Sequence, residues 1–91
     1  MANAHADQVC EIGFNQSVLV GGRELHVQTE VLFRDQLIVR TTINDGGVVR
    51  LAERLVYEGE PSGVDAIRAV AEAQHTRHVQ ELTEESHRGA H

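Results

Sequence analysis

Residues 21–33 read GGRELHVQTEVLF. After two glycines the chain alternates: Leu25, Val27, Thr29, Val31 and Phe33 fall on one side of an extended backbone. His26, Gln28 and Glu30 fall on the other, followed by an apolar Leu32. A period of two marks a strand with one covered and one open face. Gly21 and Gly22 supply the positive φ of a two-residue hairpin turn, so a strand must also precede them. With Val20 opposite Arg23, Val18 meets Leu25, Phe14 meets Thr29, Ile12 meets Val31 and Cys10 meets Phe33. Gln16 is the one polar exception on the inward side.

The same period extends in both directions. The first strand is expected at 9–20 and the second at 23–33. A loop at 34–36 leads to a third strand at 36–44, which pairs Val31 with Val39, Thr29 with Thr41 and Val27 with Ile43. The outward pairs are then Glu30 with Arg40, Gln28 with Thr42 and His26 with Asn44. A slip of one residue would bury Arg40, which fixes the register. NDGG at 44–47 is a second turn signal, and a fourth strand at 48–57 turns Val49, Leu51, Leu55 and Tyr57 inward. Glu53 interrupts that face, so it sits at the sheet margin or a bulge turns it out.

GEPSGVD at 59–65 ends the sheet, and Ser62 with Asp65 has capping-box spacing. A helix follows over 63–85. Its inner stripe takes Val64, Ile67, Ala71 and Leu82, flanked by Val70 and Val79, with Gln74 and His78 inside it. A sheet with one apolar face needs a cover, and this helix is the only candidate. The expected fold is α+β: a four-stranded antiparallel meander sheet, order 1-2-3-4, with one C-terminal helix covering one face. Residues 1–8 read as a flexible N-terminus, 9–85 as a single ββββα domain and 86–91 as a flexible tail.

Composition narrows the function. Phe14, Phe33 and Tyr57 are the only aromatics, so the core must be aliphatic. The formal charge is −6, and all eight basic residues are Arg. Neither half of the chain is basic, which argues against nucleic acid and anionic membranes as partners. Cys10 is the only cysteine; one thiol cannot close an internal disulfide, and this fits a reducing, cytoplasmic setting. The thiol should face inward as inert filler. There is no signal-peptide-like apolar start and no run of membrane-spanning length.

Two groups of residues could carry chemistry. The first is the outward row His26, Gln28, Glu30, Arg40, Thr42, Arg50 and Arg54. It reads either as a solvated face held by a polar clasp, in which Gln28 bonds Thr42, Glu30 meets Arg40 and His26 reaches Asn44 or Ser17, or as a recognition surface. Leu32, Ile38 and Val56 should lie side by side on that face, and a contiguous apolar cluster marks an interface. The second is EAQHTRH at 72–78, where Glu72, His75 and His78 are spaced three apart on one helix side. Glu-x-x-His and paired imidazoles are metal-ligating patterns, although no further ligand has a recognisable spacing. A phosphate loop, a G-x-S-x-G nucleophile and an exposed aromatic row are all missing.

The stretch 22–30, with Leu-His-Val-Gln-Thr-Glu at its centre, resembles a small bacterial family. Its members carry Gly, an aromatic and His-Val-Gln-Thr-Glu on a hairpin, then a strand similar to IVRTTINDGGVV, a Tyr like Tyr57 and a helix with Gln-His like Gln74-His75. The similarity covers about residues 12–82, and Leu25 stands in the aromatic's place. That family carries no assigned activity, so the resemblance implies only that His26, Gln28, Glu30, Gln74 and His75 belong to a recurring design of bacterial origin.

The expectation is therefore a small acidic, non-catalytic protein-interaction module with no cofactor. It self-associates, dimer favoured, through the outer sheet face or an edge strand. Leu32, Ile38 and Val56 supply apolar contact, and Glu30, Arg40 and Arg54 supply charge registration. The alternatives are a metal- or small-ligand-binding regulator built on Glu72, His75 and His78, and an acidic inhibitor or antitoxin-like partner of a basic protein.

Overall fold

The computed structural model describes residues 11–58 and 63–88. The chain runs β1 (Gly13–Val20), β2 (Arg23–Arg34), β3 (Gln36–Asp45), β4 (Val48–Tyr57) and α1 (Val64–Arg88). The strands form one antiparallel sheet in the order β1-β2-β3-β4, and the helix lies across one face. The fold is the α+β meander that the alternation requires.

The hairpins set the register. Gly21 and Gly22 have φ of 59° and 82°, both in the left-handed region that the tight turn demands. They lock Val20 to Arg23, Val18 to Leu25 and Phe14 to Thr29. Asp35, φ 62°, turns β2 into β3, and the expected pairs Glu30–Arg40, Gln28–Thr42 and His26–Asn44 all form. β1 begins at Gly13 rather than at residue 9. Ile12 still lies against β2, because its carbonyl accepts the Val31 amide at 3.4 Å. Residues 1–8, Cys10, Ser62 and 89–91 lie outside the described residues.

Three details of β4 and α1 differ from the sequence pattern. Ile43 pairs with Leu51 while Asn44 pairs with Val49, so Arg50 is the extra residue of a β-bulge. The bulge reverses the alternation below it. Val49 shares Asn44's outer face instead of pointing inward, and Arg50 leaves the outward row to line a cleft with Leu25, Ile43 and Leu82 on the helix side. Glu53 lies above the bulge, opposite Thr41, and stays on the inner face at the sheet margin. The helix runs to Arg88, so residues 86–88, read as tail, are helical.

The core has two lobes. Ile12, Val31, Leu37, Val39, Ile67 and Ala71 fill one; Leu25, Val27, Ile43 and Leu82 fill the other. The helix backbone lies closest to β1, then β2, and reaches β3 through side chains such as Gln74, Ile67 and Ala71. The inner side of β4 is left partly open, with Leu51 41% and Leu55 38% exposed.

Ile67 anchors the helix in the first lobe with 2% of its surface exposed. Ile67→Ala is expected to lower the unfolding free energy by about 2–5 kcal/mol. Leu19→Ala, at the exposed end of β1, should change it by less than about 0.5 kcal/mol. Urea titration followed by circular dichroism measures both.

Candidate functional site

Between the two apolar lobes runs a polar seam. Phe14, Thr29, Thr41 and Glu53 are consecutive register partners across β1, β2, β3 and β4, so they form one row on the inner face. Against this row α1 sets Gln74, His75, Arg77 and His78. Gln74, His75 and His78 are buried, as are both threonines.

The bonds form a directed chain. Gln74 Nε2 donates to Thr41 Oγ1 at 3.0 Å and to the Val39 carbonyl at 3.2 Å. Thr41 Oγ1 lies 2.7 Å from Thr29 Oγ1, which lies 2.9 Å from His75 Nδ1. An amide nitrogen can only donate. The assignment that uses every hydroxyl hydrogen therefore runs one way: each hydroxyl accepts from one neighbour and donates to the next, ending at Nδ1 as acceptor. This proton assignment follows from bonding capacity, and it sets a neutral imidazole with its hydrogen on Nε2. Phe14 packs on that ring, centroids 5.6 Å apart. At the margin His78 Nε2 donates to Glu53 Oε1 at 2.9 Å, and Arg77 pairs with the same oxygen.

Burial pushes the His75 pKa below 6.5, and His78 nearby adds to the shift. The hydrogen bond from His78 holds Glu53 below 4.5, against the opposing effect of desolvation, with Arg77 adding to the pull. The imidazoles are therefore engaged in joining helix to sheet. Glu72 stays exposed while His75 and His78 are buried, so the three residues that share metal-ligand spacing do not converge. Among the described residues no group of three His, Cys, Asp or Glu is placed to hold a metal ion.

The outer face carries the other candidates. Leu32, Ile38 and Val56 are direct register partners across β2, β3 and β4. They form one contiguous apolar row, with Val56 45% exposed. The next row is Glu30, Arg40 and Arg54, where Arg40 Nη2 donates to Glu30 Oε2 at 3.1 Å. Arg54 enters none of the ion pairs among the described residues. The expected clasp is only partly present. His26 Nε2 donates to Asn15 Oδ1 at 2.9 Å, not to Asn44 or Ser17, because the diagonal neighbour on β1 offers a better placed oxygen. Gln28 and Thr42 are paired in register without a side-chain bond among the described residues. Asn15, Thr29, Thr41 and Glu53 belong to no motif. Their signal is positional: apart from Asn15, they are polar residues recurring at one level of an otherwise apolar face.

No family model, curated protein or solved structure matches the chain. No helix among the described residues is long and apolar enough to cross a membrane.

The seam makes stability depend on pH. The unfolded chain takes up the His75 proton before the folded chain does. The neutral ring's contribution is therefore complete above 6.5 and is lost as pH falls below it. The Glu53 carboxylate's contribution is complete above 4.5 and is lost below that. Unfolding free energy should fall in two stages on acidification. Chemical denaturation across pH checks this: His75→Gln is expected to flatten the upper stage and Glu53→Gln the lower.

Proposed function

We propose that the protein is a small acidic, non-catalytic interaction module that docks protein on the outer face of its sheet, with a second copy of itself as the first partner. The observation that carries this reading is the row Leu32–Ile38–Val56. Three aliphatic side chains stand in register on a face that no described element covers. Scattered exposed apolar residues are ordinary, whereas a contiguous set beside charged residues is the composition of an interface.

The inner face supports the non-catalytic part of the reading. Its histidines, threonines and glutamate bond one another across the helix–sheet junction, and all but the marginal glutamate are enclosed by the core. A catalytic base needs access to substrate, and His75 has its Nδ1 committed to a buried hydroxyl. The cytoplasmic setting draws on the lone cysteine, and the bacterial source on the quoted family resemblance.

The substitutions Leu32→Asp and Ile38→Asp together should abolish self-association while leaving the circular dichroism spectrum unchanged. Sedimentation velocity over a concentration series reads the outcome. A mass that stays monomeric for the unsubstituted protein at every concentration, with no partner captured by the outer face, would refute the reading.

A further inference from the structure

We infer that two copies pack outer face to outer face about a two-fold axis running under β3, nearly along the strand direction, so that Glu30 of each copy meets Arg54 of the other. The inference rests on the docking face proposed above and specifies its geometry.

The apolar row fixes the axis. It spans three strands and is centred on Ile38 of β3. A rotation about a line under β3 exchanges β2 with β4 and keeps every row at its own level. Leu32 then covers Val56 of the second copy, Ile38 covers Ile38, and the whole row is buried on itself. An axis displaced by half a strand, between β2 and β3, would set Leu32 on Ile38 and leave Val56 uncovered. An axis across the strands would overlap only one end of the sheet, because this row lies next to the β2–β3 turn at Asp35.

The neighbouring row then tests the same operation independently. It reads acid, base, base from β2 to β4: Glu30, Arg40, Arg54. Turned about β3, the second copy presents base, base, acid. Each Arg54, which enters no ion pair among the described residues of its own chain, faces a Glu30 that already holds Arg40 at 3.1 Å. The two arginines that meet at the axis are the Arg40 side chains, each drawn aside toward its own glutamate. Pairing through the β4 edge lacks this complementarity. Two-fold registers centred on Ala52, Glu53 or Arg54 set Arg50 against Arg54, Glu53 against Glu53, or Arg54 against Arg54, and like charges directly opposed are unfavourable.

Size sets the strength. Three overlapping strands give a footprint of about 14 by 30 Å, roughly 400 Å² per copy before side-chain relief. Both copies together then bury about 800 Å² before that relief, below the roughly 1,200–2,000 Å² of stable specific interfaces, so the association is weak, reversible and dependent on concentration.

Charge exchange tests the geometry. In a homodimer of the Glu30→Arg variant, both cross-copy contacts set arginine against arginine. In a homodimer of the Arg54→Glu variant, both set glutamate against glutamate. Each single variant should self-associate roughly tenfold or more weakly than the unsubstituted chain. Mixing the two variants restores opposite charges at both contacts. The two substituted positions face each other with their charges exchanged, and the two unsubstituted ones keep the native Glu30–Arg54 pair. The double variant carrying both substitutions should also recover self-association. Sedimentation equilibrium and native mass spectrometry read the three cases, and re-pairing in the mixture shows that each single variant is folded. A dimer indifferent to these substitutions, or single variants that fail to re-pair when mixed, would overturn the two-fold axis and leave the docking face standing. An unsubstituted chain that is monomeric at every concentration would overturn both.

Discussion

The hydrogen-bonded chain from Gln74 through Thr41 and Thr29 to His75 is the constraint on which the rest of the structure depends. Two aliphatic lobes alone would let a 25-residue helix slide along the sheet, since one turn advances about 5.4 Å and inner rows recur about every 6.6 Å. The seam removes that freedom. A slide of one turn would carry Gln74 and His75 over valine rows and leave buried donors and acceptors unpaired, at about 1–3 kcal/mol for each. Each bond made adds only about 0.5–1.5 kcal/mol net, so its main effect is to specify one docking position. Gln74 Oε1 remains buried without a partner among the described residues, a residual cost of keeping the amide turned toward Val39 and Thr41.

Most of the sheet is legible in the sequence because alternation and turn chemistry agree. Gly21-Gly22 and NDGG each permit only a tight turn; setting Val20 against Arg23 gives the β1–β2 pairs by counting, and the 34–36 loop, held in register by the cost of burying Arg40, gives those between β2 and β3. The departures also have physical causes. Val49 and Arg50 escape the pattern because nothing local to VVRLAE announces that Arg50 is an extra residue. The bulge becomes visible only when Glu53 is seen to need the inner face. The seam is half legible. Thr29 and Thr41 stand out as inward partners, and Gln74 and His78 as part of the helix stripe, but along its own element each looks like an isolated exception. Their common level appears only when strand register and helix phase are combined, and no spacing along one element encodes that. The metal pattern at Glu72, His75 and His78 misleads for the complementary reason: spacing places residues on one helix, and burial decides whether they face a ligand or a core.

The two faces of the sheet use polar residues differently. Inside, polar groups are committed to one another across the helix–sheet junction, so they specify position. Outside, Glu30 and Arg40 are partly exposed and beside an apolar row, where a surface ion pair contributes under about 1 kcal/mol to the fold; under the proposed docking its value would lie in selecting what docks. The −6 charge of the chain sharpens the contrast, since arginines outnumber acids in the row Glu30, Arg40, Arg54, where the proposed self-association would bring two acidic molecules together.

The off-centre helix also decides where the molecule breathes. β1 and β2 are clamped between their ladder and the helix, whereas β4 hangs from β3, from Tyr57 at the rim of the first lobe and from the carboxylate of Glu53 gripped by Arg77 and His78. Peeling β4 away breaks one ladder, that grip and the Tyr57 contact, while the buried members of both lobes, none of which lies on β4, stay together. Its amides should therefore exchange hydrogen for deuterium through small openings, long before those of Val27 or Val31 reach solvent by global unfolding.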